Sequence, residues 1–324
     1  MQEKTLINLD DISNETFGES KALHPPIDSV IKNELSYKTY GDYIESTNEN
    51  SKTSSSKRRD DWANCQLQVR DYLKPLVNLE EFIFSYPTNG IHESIDWMCN
   101  KVEEYQVFKG EYRYSSFIKK PVNVATTVGD VMPGVPLYMS NPFSATGNFD
   151  KRYDEVGQRG DVPIYLDMAF AGTTGEHNIT LHSNVREVFW SCSKPYGVGL
   201  LRAGIRFSRK EEPIQRELQG VGYFNHAMID VFNAVTSTSS VFAKKKEYKE
   251  LQEQVCRKFN LNPSDSYIVA TSRDEQWDRF KRENGINRIC LTSAYEKIAD
   301  RPSNEPKNRL EQMEMLGDDT VMGC

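Results

Sequence analysis

Short apolar runs of strand length recur along the middle of this 324-residue chain, at 82–84, 105–108, 135–139, 162–166, 188–190 and 200–207. Helical or turn-rich stretches separate them. Strands that alternate with helices confine a chain to an α/β fold with a mostly parallel sheet, because each parallel connection needs a crossover, and that crossover is usually a helix. The clearest helical face is Ile91, Ile95, Met98, Cys99 and Val102, spaced at i, i+4, i+7, i+8 and i+11. Before it stand Tyr86, Pro87, Thr88, Asn89 and Gly90, which read as a turn. Leu67, Val69, Tyr72, Leu73 and Leu76 fit a second helix. From about residue 213 the pattern is helical, over 213–237 and 243–259. Two apolar runs at 267–270 and 288–291 then flank a helix-like stretch, Ser272 to Asn284, which suits a small α+β unit.

The ends differ in character. Residues 1–35 are polar, and 45–60 are rich in Ser, Asn and charge. Such a segment buries too little apolar area to offset its chain entropy, so residues 1–60 are expected to form an arm and a flexible polar loop. Lys57, Arg58 and Arg59 in it suit an anion less well than a solvated loop. The expected division is a large domain over 61–212, a helical linker and small domain over 213–300, and a disordered polar tail over 301–324.

Charge and cysteine usage exclude several classes. A net charge of -7 does not suit a phosphate backbone, so no nucleic-acid partner is expected. No run approaches the roughly 18 apolar residues of a membrane span, so no membrane role is expected. The acidic first twenty residues contain no apolar signal core, and the six scattered cysteines form no C-x-x-C pair. Together these imply a cytoplasmic protein with reduced thiols that serve as packing residues.

The stretch from Val188 to Phe207 is the most informative chemically. Lys194 follows two serines at a strand end, then come glycines, Arg202, Ala203 and Gly204, and another strand. A lysine at a sheet edge is partly desolvated, which lowers its pKa and frees a nucleophilic amine. Ser191 and Arg202 flank it with a hydroxyl and a guanidinium, groups that can hold a phosphate dianion. Upstream, Asp167 ends the apolar run that begins at Val162, which places it at the crevice where α/β sheets bind ligands. Gly90 precedes a helix, whose free N–H groups and dipole form an anion site. Asn89 there could equally be only a helix cap.

Ser191-x-x-Lys194, the glycines and Arg202-x-Gly204 together resemble the fold-type I enzymes of pyridoxal 5'-phosphate (PLP), the aspartate aminotransferase superfamily. The resemblance covers roughly 36–292 and is sharpest from Gly90 to Gly204. It implies a three-layer α/β/α PLP-transferase-like large domain with a mostly parallel sheet, plus a small C-terminal α+β domain. It implies PLP held by Lys194 as a Schiff base, with Ser191, Arg202, Gly90, Ile91 and His92 at the phosphate. Asp167 would face the pyridine nitrogen, and Tyr112, or alternatively Tyr114, would stack on the ring. Arg288 would clamp a substrate carboxylate, unless it is a surface arginine. Tyr40 is a weaker candidate for a partner's phosphate site. His177 reads as a loop residue.

Asn141 to Gly147 looks like the family's Asn-Pro-x-Asn-Pro-Thr-Gly loop, with a departure. Ser144 and Ala145 stand in place of the second Asn-Pro, and Phe170 stands where many transaminases carry Tyr. Both altered positions contact the cofactor oxygen in the family, and Ser144 is a candidate to substitute for one. The resemblance thus implies a homodimeric aminotransferase acting on an amino acid and a 2-oxo acid. Two alternatives stay open. One is a PLP-dependent lyase, decarboxylase or oxidase. The other is a catalytically degenerate binding protein on the same fold.

Overall fold

The structure is a computed structural model that describes residues 9–10, 12–17 and 53–299. Helix α1 (Thr53–Leu73) leads to β1 (Phe84–Asn89) and α2 (Ile91–Lys101). Then follow β2 (Gln106–Phe108), α3 (Tyr114–Ile118), β3 (Asn123–Ala125), β4 (Leu137–Ser140), α4 (Arg152–Arg159), β5 (Ile164–Asp167), β6 (Val185–Ser191) and β7 (Ala203–Ser208). These seven strands form one sheet in the order β1-β7-β6-β5-β4-β2-β3. Strand β7 runs antiparallel to both of its neighbours, and every other pairing is parallel. Helices on both faces complete the three-layer α/β/α arrangement.

The central strands β4 and β5 are buried at every position, as strands covered on both faces must be. Their apolar content therefore reads as a continuous run rather than an alternation. On the second sheet face α2 buries Ile91, Ile95, Met98 and Cys99 against Val107, Tyr138 and Phe189. Helices α5 (Pro213–Gly220), α6 (Ala227–Thr238) and α7 (Ala243–Lys258) lead to a second sheet of β8 (Asn262–Pro263), β9 (Val269–Ser272) and β10 (Asn287–Cys290), closed by α8 (Thr292–Ala299). Its three strands pair antiparallel in the order β10-β9-β8. Its core gathers Tyr267, Trp277, Ile289 and Tyr295, together with Phe170 from just after β5.

Several sequence expectations are corrected. The flexible loop expected over 45–60 gives way at Thr53 to the first turns of α1, while 45–52 lie outside the described residues, as do Tyr40 and the tail. Helix propagation is cheap once a downstream face is anchored, here by Trp62, Cys65, Val69, Tyr72 and Leu73. Leu67 lies off that face and is exposed. Tyr86 to Asn89 are strand rather than turn. Pro87 is tolerated because β1 is an edge strand, paired only with β7, where a missing N–H costs no ladder bond. The helix expected over 213–237 breaks after Gly220, and Gly222 takes a φ of 75°. The helix-like stretch after Ser272 is a 3-10 turn over Glu275–Phe280. Trp277 and Phe280 are both buried, which a three-residue period allows.

Under β1 and β7 lies a buried ion cluster. Arg206 is fully buried between the rings of Tyr86 and Trp97, and donates to Glu187 Oε1 at 2.8 Å and to Gln215. Lys101 Nζ donates to the same Glu187 oxygen at 2.9 Å. Truncating one partner of such a pair leaves a charge uncompensated. Glu187→Ala is therefore expected to cost about 3–5 kcal/mol, read as a shift in urea midpoint, whereas Glu187→Leu combined with Arg206→Met costs far less. A loss below about 1 kcal/mol in the single variant would refute the assignment.

Candidate active site

The carboxyl ends of β1, β5 and β6 and the start of β7 meet at one edge of the sheet. Register fixes part of the site. Ser191 on β6 pairs with Gly204 on β7, and Gly204 pairs with Thr88 on β1. A Cβ on Gly204 would lie 2.6 Å from the Gly90 Cα, so this crossing accepts only glycine. Gly90 itself has a φ of 75° and caps α2, and a Cβ there would lie 2.8 Å from Arg202 Nη2. The Arg202 guanidinium is thereby laid across the helix N-terminus, donating to the Asn89 carbonyl at 2.8 Å. Glu93 folds back to accept from the Asn89 backbone at 2.6 Å and its amide at 2.8 Å, while the capping position itself is Gly90, so the Asn89 side chain accepts from no helix N–H.

Arg202 also reaches His92 Nδ1 at 2.9 Å. Guanidinium can only donate, so Nδ1 accepts and the imidazole proton sits on Nε2. That nitrogen faces the Tyr112 hydroxyl at 2.7 Å. Burial, Arg202 and Lys194 all push the His92 pKa down, which keeps the ring in this neutral form. Ile91 turns its side chain into the core and leaves its backbone at the helix start. Ser191 Oγ lies 2.7 Å from Ser193 Oγ and donates to the Ala203 carbonyl at 2.8 Å.

Lys194 sits beside this corner. Its Nζ lies 4.2 Å from the centre of the Phe170 ring and 6.0 Å from that of Tyr112. Burial lowers its pKa to about 8, with Asp167 and Glu111 opposing the change and Arg288 adding to it. Asp167, at the end of β5, is buried and accepts from the Tyr138 hydroxyl at 2.6 Å and from the Ala169 N–H at 2.7 Å. Burial raises its pKa, while Lys194 and these two donors pull it back.

Arg288 on β10 is buried and donates to the Ser144 carbonyl at 2.7 Å, which ties the small sheet to the loop after β4. It is not a surface arginine. Burial and the neighbouring Arg282 lower its pKa to about 9. A cleft of about 210 Å³ opens between these parts, lined by Glu111, Tyr112, Ser144, Arg282 and Arg288. Tyr114 stacks beside Tyr112 but bonds Asp96, so Tyr112 is the ring that reaches Lys194. His177 is exposed, stacks on Phe149 and takes no part. Among the described residues no His, Cys, Asp and Glu cluster could hold a metal ion. No described helix is long and apolar enough to cross a membrane.

Sequence reasoning missed Glu111, Tyr138, Ser140 and Arg282. Tyr138 lies inside an apolar run and Ser140 directly follows it, and neither carries a motif. Glu111 is buried, and its carboxyl faces Ser140 at the end of the neighbouring strand.

This arrangement is the fold of the fold-type I PLP-dependent enzymes, and solved structures superpose on it over most of the chain. An aminotransferase from Staphylococcus aureus is 15% identical, with 95% of this chain and 98% of that one covered at a TM-score of 0.59. Histidinol-phosphate aminotransferase from Sinorhizobium meliloti, in complex with PLP, is 12% identical, with coverages of 85% and 86% and a TM-score of 0.58. A PLP-bound C-S lyase from Staphylococcus hominis is 9% identical, with coverages of 84% and 88% and a TM-score of 0.59. No protein-family model and no curated protein matches the sequence.

Proposed function

We propose that the chain is a PLP-dependent enzyme that moves an amino group between an amino acid and a 2-oxo acid, with Lys194 as the cofactor lysine. One observation carries this reading: a half-buried lysine, packed on the Phe170 ring and lowered in pKa, lies beside a buried aspartate and an anion-binding corner on the PLP-enzyme fold.

The residues present fit the cofactor. Gly90 and Gly204 let the corner's parts approach closely: a Cβ on Gly204 would strike the Gly90 backbone, and one on Gly90 would displace the Arg202 guanidinium from the helix start. The corner offers Arg202, Ser191 and the N–H groups of Ile91 and His92 to a phosphate. Asp167 is the carboxylate for the pyridine nitrogen, and Tyr112, held by His92, is the ring that covers one face. PLP, when bound, supplies an electron sink for charge at the substrate Cα. Lys194 then carries the proton to and from that carbon, a role that suits an amine near pKa 8. Arg288 orients the substrate carboxylate, Ser144 lines the same cleft, and the Phe170 ring lies against Lys194.

We place the active unit as a homodimer in the cytoplasm. Leu218 and Tyr223 are exposed at a cleft that also includes Thr88 and Asn89, beside the Arg202 corner. Among the described residues Cys65, Cys99, Cys192, Cys256 and Cys290 are all buried thiols, which suits a reducing compartment.

Purified protein is expected to bind PLP with a visible-edge absorbance band, and borohydride fixes the cofactor on Lys194. With a panel of amino acids and 2-oxo acids, the amino group is expected to appear on the 2-oxo acid. Release of ammonia or carbon dioxide without that exchange would replace transamination by elimination or decarboxylation. Phe170 favours this second reading, because its phenyl ring packs on Lys194 without a hydroxyl. The likeness to a C-S lyase also supports it. A protein that takes up no PLP would leave only a binding role on the fold.

A further inference from the structure

Glu111 is a buried acid of the site to which the proposed chemistry gives no task. It stands at the end of the turn after β2, it lines the cleft, and both of its oxygens are engaged. Oε1 accepts from the Tyr112 N–H at 2.8 Å and from Ser140 Oγ at 2.5 Å. Oε2 accepts from the Ser140 N–H at 2.7 Å. Ser140 Oγ in turn accepts the Ser144 N–H at 2.7 Å, and the Ser144 carbonyl accepts Arg288 at 2.7 Å. An unbroken chain of hydrogen bonds thus joins the Tyr112 backbone to Arg288.

The direction of these bonds determines the charge they need. Both backbone N–H groups can only donate. The Ser140 hydroxyl receives the Ser144 N–H on one lone pair and can turn its own proton to Glu111. A carboxylate accepts all three donors at once. A proton on Oε1 would reverse the Ser140 bond and take away the charge that strengthens all three.

We propose that Glu111 is a positioning residue of this site, which as a carboxylate fixes Tyr112 over Lys194 and Ser144 under Arg288. The inference rests on the PLP reading for its consequences in turnover, but the coupling to Lys194 belongs to the protein alone. The charged and titratable groups around Glu111 are Asp167 on β5, Tyr138 on β4, Lys194 after β6, and Arg113, Arg282, Glu283 and Arg288 along the cleft. Burial raises the Glu111 pKa to about 7, against the pull of its three donors, so the chain is intact above neutrality and weakens as pH falls. Lys194 gains its proton support from Asp167 and Glu111 and loses it to Arg288.

Three variants of the full chain separate the two roles. Glu111→Gln removes the charge at every pH, Ser140→Ala cuts the chain and leaves the charge in place at alkaline pH, and Glu111→Asp keeps the charge on a shorter arm. The first readout needs no cofactor: labelling of Lys194 by trinitrobenzenesulfonate against pH, followed on its peptide by mass spectrometry. Glu111→Gln is expected to move the labelling midpoint toward acid, Ser140→Ala to move it less, and Glu111→Asp to restore it. The second readout is the PLP-loaded enzyme. Both Glu111→Gln and Ser140→Ala are expected to raise KM for the amino acid about tenfold, the worth of one charge-assisted hydrogen bond, with a smaller change in kcat. An unmoved or alkaline-shifted midpoint in Glu111→Gln overturns the proposal. So does a Ser140→Ala variant with unchanged KM. If the midpoint shifts as expected but wild-type protein binds no PLP, the coupling stands and the PLP reading fails.

Discussion

Lys194→Ala is expected to reduce turnover by at least about four orders of magnitude, because it removes both the cofactor's covalent anchor and the group that moves the proton. The residue is well placed for such a loss. Its nitrogen is wedged against Phe170, within the field of Asp167, and next to the Arg202 corner. Ser191, Arg202 and the α2 N-terminus are untouched by the substitution, so the variant should still bind PLP, now reversibly and without fixation by borohydride. Added methylamine should restore part of the rate, since it supplies a free amine in the same space. The pH dependence follows from the direction of the shift. With the amine lowered to about 8, its neutral share in cofactor-free protein grows about tenfold per pH unit up to that value. The rate of PLP capture should therefore rise from about pH 6 to about pH 8 and then level off. A variant that retained the borohydride-stable adduct would move the assignment to another lysine.

The Lys194 corner was legible in the sequence because its parts lie close together along the chain. Ser191, Lys194, Arg202 and Gly204 span one strand, one loop and the start of the next strand, so spacing alone brings them together. Asp167 was legible for a related reason: a charged residue that ends a fully apolar run has few places to go but the carboxyl edge of the sheet. The chain from Glu111 to Arg288 was not. Ser144 and Arg288 stand out in the sequence, but Glu111 and Ser140 are ordinary residues in ordinary runs, and nothing along the chain links the four. Only the parallel register of β4 beside β2 brings Ser140 within reach of Glu111. The errors have equally local causes. Pro87 reads as a turn because its tolerance depends on which strand is the edge, a property of topology rather than of composition. The residues from Thr53 onward read as loop because their helix is stabilised by a face farther along.

Asp167→Asn is expected to lower turnover by about 10²–10³-fold while leaving the protein as stable as before, or more so. The amide is nearly the same shape, accepts the Ala169 N–H as before and can receive or return the Tyr138 hydroxyl bond. What it lacks is the charge that faces the pyridine nitrogen in the proposed complex. The two halves of the prediction have opposite signs for one reason. Burial raises the folded-state pKa of Asp167 above its unfolded value. Its contribution to stability is therefore fully present below the unfolded pKa and is lost as pH rises through the folded one. At neutral and alkaline pH the buried charge is a cost to folding, and the amide relieves it. The same removal takes away support for the Lys194 proton, so the amine pKa should fall below about 8. Thermal unfolding, turnover and the Lys194 labelling midpoint can be read on one preparation. A purely structural aspartate would lose stability and activity together, because its two hydrogen bonds would be its whole contribution. An active-site aspartate held in place against its own desolvation should lose activity alone, and an Asp167→Asn variant that melted several degrees lower at unchanged turnover would rule that role out.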